Sequence, residues 1–279
     1  MSSGNDPAEN MASAESLIRR AAAGGAQMVI TPEMTTLIER GRGALLAKIY
    51  FEENDPGLPV FQALAEELDI WLVIGSMAVK VQDQSQDQLK GQAKDKIANR
   101  CYVISPDGHI AARYDKIHMF DVDLPGGESY RESQAYSAGE RAVLAETPWG
   151  PMGLTICYDV RFPDLYRKLA QAGASMLTVP AAFTEVTGQA HWHILLRSRA
   201  IENGAFIFAP AQTGSHVSAS GDSRKTYGHS LIVDPWGNII DDGGCDVGVT
   251  LAQIDLTLAE KARSRIPSLR HDRQFKLGE

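Results

Sequence analysis

Cysteine is scarce in this sequence: Cys101, Cys157 and Cys245 are the three in 279 residues. Three scattered thiols make no disulfide framework, and they point to a reducing compartment, the cytoplasm. Long apolar runs are lacking too. The longest, such as 70–79, fall well short of the ~18–20 residues a membrane span needs, and the polar stretch 1–10 reads as no secretory leader. Basic residues are outnumbered, 27 Lys and Arg against 35 Asp and Glu, for a net charge of −8. That balance argues against a nucleic-acid or anionic-membrane partner. No repeat of fixed period occurs, which removes solenoids and propellers. There is no P-loop and no dinucleotide fingerprint, because Gly24-Gly25 precedes a strand rather than a helix.

What is present is the composition of a folded protein, with 44% apolar and 22% charged residues. A chain of this length buries roughly three quarters of its unfolded surface, so it needs no disulfide or metal staple. No linker divides it, and 1–279 reads as one domain. Asp6-Pro7-Ala8-Glu9 is a helix start, with Asp as cap and Pro in the first turn. Apolar residues then recur at helical spacing until Gly24-Gly25. Helices over 58–68, 164–172 and 191–203 each lead into a short apolar strand, at 70–75, 175–179 and 206–208. Turn residues at 106–108, 148–150 and 234–238 mark β-hairpins. Helices alternating with strands, plus hairpins, favour an α/β sandwich with mixed sheets. The Gln-rich stretch 82–96 reads as an exposed loop.

Three reactive side chains stand at strand ends, where α/β sheets place their ligands. Glu33 follows Thr31-Pro32 after strand 28–30; it is a candidate general base or a loop salt bridge. Lys116 opens the segment K-I-H-M-F-D at 116–121; it is a solvated edge residue or a buried ammonium that stabilises an oxyanion. Cys157 ends an apolar strand at a turn before a helix, within G-L-T-I-C-Y-D-V-R-F-P at 153–163. Such a turn presents a nucleophile, and the helix N-terminus and a nearby lysine would favour thiolate. The ordinary reading is an inert buried thiol. Cys101 reads as core and Cys245 as a loop residue. His191 and His193 sit in a helical run, where their side chains diverge by about 200°; no Cys/His/Asp cluster accompanies them, so no metal ligand set is read.

Taken together, these segments resemble the carbon–nitrogen hydrolase (nitrilase) superfamily: Glu after Pro, Lys in K-I-H-x-F-D, and Cys in G-x-x-I-C-Y-D-x-R-F-P. The segments L-P-G-G at 124–127, R-E-S at 131–133, A-F-T at 182–184, R-S-R-A-I-E at 197–202, A-Q-T-G at 211–214 and Y-G-H-S at 227–230 look like its Nit branch. Within that branch they look closest to deaminated-glutathione amidases and then to ω-amidases. The resemblance implies a four-layer αββα sandwich that dimerises through the same layers. It also implies a Glu33–Lys116–Cys157 triad, with Glu132 as a further family carboxylate, and no cofactor. The substrate implied is a small-molecule amide, opened through a thioester. An acid-bearing substrate would need a cation; Arg161 is the candidate clamp, with a salt bridge to Asp159 or Asp164 as its alternative. Tyr158 and Phe183 are candidate wall residues. Two departures stand out: the family's first strand is missing before the Ser2-Ser3-Gly4 turn, and His193 stands where many relatives carry Glu.

Overall fold

A computed structural model describes residues 1–82, 96–125 and 127–278. The stretch 83–95, most of the Gln-rich loop, and Gly126 of the L-P-G-G segment lie outside the described residues. Helix α1 (Pro7–Ala23) starts as its sequence dictates, with the Asp6 side chain accepting the Ala8 and Glu9 N–H groups; such a cap is worth about 1 kcal/mol. A first sheet holds β1 (Met28–Ile30), β2 (Trp71–Val81), β3 (Lys96–Ile104) and β4 (Ile110–Asp115) in sequential order. β1 pairs with β2 in parallel, and the other pairs are antiparallel. Helices α2 (Arg42–Leu46) and α3 (Gly57–Leu68) lie between β1 and β2 in the chain. β2 runs to Val81, well past the end at Gly75 that the apolar run suggests, because its second half pairs with the start of β3.

The ribbon β5 (Asp121–Asp123) and β6 (Ser129–Arg131) follows. The remaining strands are β7 (Val143–Ala145), β8 (Met152–Leu154), β9 (Met176–Thr178), β10 (Phe206–Ala209), β11 (Thr213–Val217), β12 (Ser223–Tyr227), β13 (Leu231–Val233) and β14 (Ile239–Asp242). β11 and β12 make a separate ribbon, and the other six form a second sheet in the order β14-β13-β10-β9-β8-β7. Its centre, β8-β9-β10, is parallel and its flanks are antiparallel, so this sheet is mixed as well. Helices α4 (Pro163–Gln171) and α5 (Glu185–Asn203) cross between its parallel strands, and α6 (Thr257–Arg265) comes near the end. α5 begins six residues before the start at His191 that the apolar spacing suggests: its first turns carry Thr187 and Gly188 buried against the β12 ribbon.

The layer order follows from the period of two in the first sheet. Leu72, Ile74, Tyr102 and Ile104 pack with Ala14 and Ile18 of α1 and Phe61 and Leu64 of α3. Their alternates Val73, Cys101 and Val103 pack instead with Leu154 and Leu177 of the second sheet. The same cluster takes in Leu165 and Leu169 of α4 and Trp192, Leu196 and Ala200 of α5. Helices, sheet, sheet, helices is the αββα sandwich. Each such buried apolar side chain contributes about 1.5–3 kcal/mol, so the dry seam between the sheets fixes their stacking. A cavity of about 600 Å³ lies beside the edge strand β1, lined by Met28 and Ile30 and by Leu251 and Ile254 near the C-terminus.

Candidate active site

The two sheets bring the ends of β1, β4 and β8 to one place. Glu33 leaves β1 through Pro32, and Gly75 makes room for that exit. A Cβ on Gly75 would stand 2.0 Å from the Thr31 carbonyl oxygen, and the β2–β3 register shifts between Ile74 and Met77, around this glycine. Met34, directly after Glu33, has φ 56° and donates its N–H to Ser76 Oγ at 2.9 Å. The chain therefore turns sharply at Glu33 and buries its carboxylate.

Cys157 also sits in the left-handed region, at φ 49°, where a non-glycine residue persists only if its surroundings hold it. They do. The Cys157 N–H donates to the Pro180 carbonyl at 2.9 Å. Asp159, fully buried, accepts the Ile156 N–H at 2.8 Å, the Tyr114 hydroxyl at 2.7 Å and the His118 N–H at 3.1 Å. The His118 ring nitrogen Nδ1 lies 2.7 Å from the same carboxylate. The element that follows is a five-residue 3₁₀ turn, Cys157–Arg161, with α4 beginning only at Pro163.

The three side chains meet. Lys116 Nζ lies 3.0 Å from Glu33 Oε1, and 3.0 and 2.8 Å from the two oxygens of Glu132. Cys157 lines the same cavity as Glu33 and Lys116, and Glu33 Oε2 accepts the Ala182 N–H at 2.8 Å. Glu132 heads a short 3₁₀ turn and accepts the Phe120 N–H at 2.6 Å. Lys116 is 2% exposed, so the reading of it as a solvated edge residue does not hold. Two carboxylates around one ammonium offset its desolvation.

The protonation states follow. Burial pushes the Glu33 carboxyl up, but Lys116, the Cys157 thiol, the Ala182 N–H and Arg224 together hold it below its ordinary value. Burial pushes Lys116 down, and Glu132 and Glu33 more than reverse that, so it stays charged. The Cys157 thiol is pushed well up by burial and by Glu33, against the opposing pull of Lys116. The pull of Lys116 toward thiolate is present, but burial and Glu33 outweigh it. The helix N-terminus invoked for thiolate begins six residues on, and the charge that acts most on the sulfur is the Glu33 carboxylate. The resting pair is a thiol beside a carboxylate.

The cavity over these groups has a volume of about 350 Å³. Tyr158 and Phe183 line it, as the sequence suggests, together with Phe120, Tyr130, Arg40 and Arg224. Arg161 is not among the lining residues. Its guanidinium lies 5.4 Å from the centre of the Phe183 ring and 6.0 Å from that of Tyr158, and it meets His191 Nδ1 at 3.2 Å. Arg161 thus packs on two wall residues rather than lining the cavity, and it pairs with neither Asp159, taken by the elbow, nor Asp164, taken by Lys168. Besides Lys116, the lining cations are the exposed Arg40 and Arg131 and the part-buried Arg224. Arg224 donates to the Ala182 carbonyl, lies over Tyr130 at 5.3 Å, and keeps a buried Nε with no hydrogen-bond partner among the described residues.

Two site residues escape a reading of the sequence. Asn99, in the middle of β3, donates from Nδ2 to Glu33 at 2.9 Å and to Glu132 at 3.4 Å. A fully buried Asn in an apolar strand is a signal, since buried polar groups need partners. Arg224, on an exposed ribbon of Ser, Arg, Lys and Thr, offers no such signal.

Known proteins share this arrangement of chain. Residues 1–264 match the family described as carbon-nitrogen hydrolase. A deaminated glutathione amidase of Yersinia enterocolitica is 39% identical over 275 residues, covering 97% of this chain and 90% of the relative. The human deaminated glutathione amidase is 37% identical over 271 residues, 96% of this chain and 79% of that protein. Among solved structures, the Caenorhabditis elegans NitFhit protein superimposes with a TM-score of 0.83 at 35% identity; the match covers 98% of this chain and 63% of that one. Saccharomyces cerevisiae Nit3, of branch 10 of the nitrilase superfamily, gives 0.78 at 28% identity, over 97% and 92% of the two chains. With the fold, the buried cysteine and the family match in agreement, the chain belongs to the carbon–nitrogen hydrolase family and is a hydrolase of carbon–nitrogen bonds other than peptide bonds.

Proposed function

We propose that residues 1–279 act as one catalytic domain that hydrolyses the amide bond of a small carboxylate-bearing substrate. Deaminated glutathione, or an ω-monoamide such as α-ketoglutaramate, is the substrate class. The observation that carries this reading is Cys157 lining one cavity with a Glu33 carboxylate that Lys116 Nζ meets at 3.0 Å.

Glu33 takes the thiol proton as the sulfur attacks the amide carbon, so thiolate forms only when it is used. The carbonyl π electrons move onto oxygen. The Lys116 ammonium and the backbone N–H of Tyr158 hold that oxyanion, and such donors are worth about 3–4 kcal/mol each. The tetrahedral adduct collapses, Glu33 returns its proton to the departing nitrogen, and ammonia or an amine leaves. The thioester on Cys157 is then opened by water that Glu33 deprotonates. A second collapse releases the carboxylic acid and returns the proton to the sulfur. Glu132 and Asn99 are positioning residues: they hold Lys116 and Glu33 through the hydrogen bonds given above.

The Nε of Arg224, without a partner among the described residues, supports a substrate that brings its own carboxylate, since a guanidinium suits a planar anion. Tyr158 and Phe183 supply the apolar walls. The chain is also proposed to work as a homodimer. Ile194 and Ile201, two turns apart on α5, are 68% and 54% exposed, and Trp236 nearby in the chain's last hairpin is 52% exposed; apolar groups so placed mark interaction surfaces. Light scattering on the purified protein reads the mass directly. No described helix is long and apolar enough to cross a membrane.

The test is a panel of deaminated glutathione, α-ketoglutaramate, simple aliphatic amides and nitriles, with release of amine or ammonia as readout and Cys157→Ala alongside. Preference for the acid-bearing amides supports the reading. Preference for nitriles or neutral amides favours a nitrilase or an aliphatic amidase, and full turnover by Cys157→Ala removes the nucleophile from the scheme.

A further inference from the structure

Away from the catalytic cavity, three side chains of metal-ligating type converge from three elements. His193 lies on α5, His229 in the turn between β12 and β13, and Asp242 ends β14. One ligand atom of each lies within 4.8 Å of the other two. Asp242 is in the middle: its Oδ2 stands 3.2 Å from His193 Nε2, and its two oxygens stand 2.9 and 3.0 Å from His229 Nδ1. None of the three lines the catalytic cavity.

The constellation is held from behind. His229 has φ 55°, a conformation fixed by its N–H to the Gly244 carbonyl at 2.6 Å and by its own carbonyl, which accepts Trp192 Nε1–H at 2.8 Å. Trp192 is fully buried and precedes His193, so the same anchor sets both histidines. The Gly244 N–H fixes Asp242 Oδ1 at 2.9 Å. The Tyr227 ring stacks on His229, with centroids 4.5 Å apart, and meets His193 edge-on. Side-chain exposures of 24 to 32% leave the three groups open to an ion from solvent.

The second ring nitrogen of His229 adds an independent observation. Its Nε2 lies 3.5 Å from Cys245 Sγ. A metal-bound imidazole presents one nitrogen to the ion and gives the proton on the other to an acceptor, which fixes the tautomer. Without an ion, Nδ1–H donates to Asp242; with an ion on Nδ1, the proton would sit on Nε2, within reach of the sulfur.

We propose that His193 Nε2, His229 Nδ1 and the Asp242 carboxylate form a binding site for a divalent first-row transition ion of the zinc class, with Cys245 as the outer partner of His229. Two imidazoles and a carboxylate are a donor set such ions take, with a water in the open fourth position. The ion replaces the hydrogen bonds by which the three groups now satisfy one another. Bound there, it ties α5 to the β13–β14 hairpin, so it stabilises the folded chain by binding it in preference to the unfolded one.

The test uses untagged full-length protein, stripped with a chelator and titrated with Co²⁺ as a spectroscopic probe and with Zn²⁺ by calorimetry. The expected result is one equivalent of Co²⁺ with d–d absorption and no thiolate charge-transfer band, and a higher Tm on adding Zn²⁺. His193→Gln and Asp242→Asn should each weaken binding at least tenfold while retaining the metal-free circular dichroism and Tm of the parent. No binding to the folded parent protein overturns the proposal, as does binding unchanged in both variants. A thiolate-to-cobalt band that survives His193→Gln places the metal on a cysteine and overturns it equally.

Discussion

Lys116 Nζ and Glu33 Oε1 lie 3.0 Å apart although 83 positions separate them in the chain. The contact is buried, and a second carboxylate, Glu132, closes the other side of the ammonium at 2.8 Å. Removing either charge leaves its partner buried and unpaired, which typically costs about 3–5 kcal/mol. Lys116→Met should therefore abolish turnover and lower the Tm. Lys116→Met with Glu33→Gln should recover part of the Tm and none of the activity. Thermal denaturation and steady-state kinetics on the parent, Lys116→Met, Glu33→Gln and the double variant separate the two effects.

The protonation states set a pH profile. Glu33 is depressed in the folded protein, so it stays deprotonated, and able to act as base, below the ordinary carboxyl value. The acid limb of kcat/KM should lie below that value, and Lys116→Ala, in whatever activity remains, should move it upward. The stability sign runs the same way. A depressed carboxyl contributes stability that is present above its unfolded pKa and lost as pH falls through the folded one. Lys116 is raised, so its contribution is present below its unfolded pKa and lost as pH rises through the folded value. A profile unchanged by Lys116→Ala would remove Lys116 as the cause of the depression.

Alkylation reports the resting state of Cys157. A thiol pushed up by burial and an adjacent anion should react slowly with iodoacetamide at neutral pH. Glu33→Gln removes the anion and the base together: alkylation should not slow, whereas kcat/KM should fall by about 10²–10⁴, the range of general acid–base catalysis. Fast thiolate-like alkylation of the parent enzyme would contradict the assigned protonation.

Arg224 is expected to sort substrates by charge. Arg224→Gln should raise KM for acid-bearing amides about tenfold or more, in line with the roughly 1.5–3 kcal/mol of a hydrogen bond to a charged group, and leave KM for neutral amides nearly unchanged. Arg161→Ala, outside the cavity lining, should change neither. Equal effects of Arg224→Gln on both substrate classes would assign it to the structure of the cavity instead.

Asp159 tests the elbow. Its carboxylate takes four hydrogen-bonding groups while fully buried, so Asp159→Ala should destabilise by several kcal/mol, on the order of a broken buried network. Asp159→Asn keeps the shape but turns one acceptor into a donor against the Ile156 N–H or Tyr114. Its Tm should fall less, and its kcat should still drop as Cys157 loses its φ. Urea denaturation and kcat measured on both variants check the pair.

Much of this chain is legible before it folds. Asp6, Pro7 and Gly24-Gly25 delimit α1, and Pro-Asp-Gly and Pro-Trp-Gly mark the hairpins; which core each face of β2 meets is not legible, because the strand is buried on both faces. The caps and turns are local instructions, set by backbone dihedrals and side-chain spacing. Glu33, Lys116 and Cys157 each stand at a strand end, but as a set they are readable through the segments shared with the carbon–nitrogen hydrolase family. Distance along the chain hides the rest. The start of α5 depends on Gly188 meeting the Tyr227 ring, with Cβ space of only 2.3 Å. Asn99 matters because β3 carries it between two carboxylates, and Arg224 because a ribbon folds it over the cavity while Arg161, closer in sequence to Cys157, lies outside the lining. Histidine pairing follows the same rule: His193 finds His229 and Asp242, not its sequence neighbour His191. The segments around Glu33, Lys116 and Cys157 determined the family. Only the packing of two sheets decided that one of three thiols sits as a protonated group beside an anion, because burial and neighbouring charge, which set that state, exist only in the folded chain.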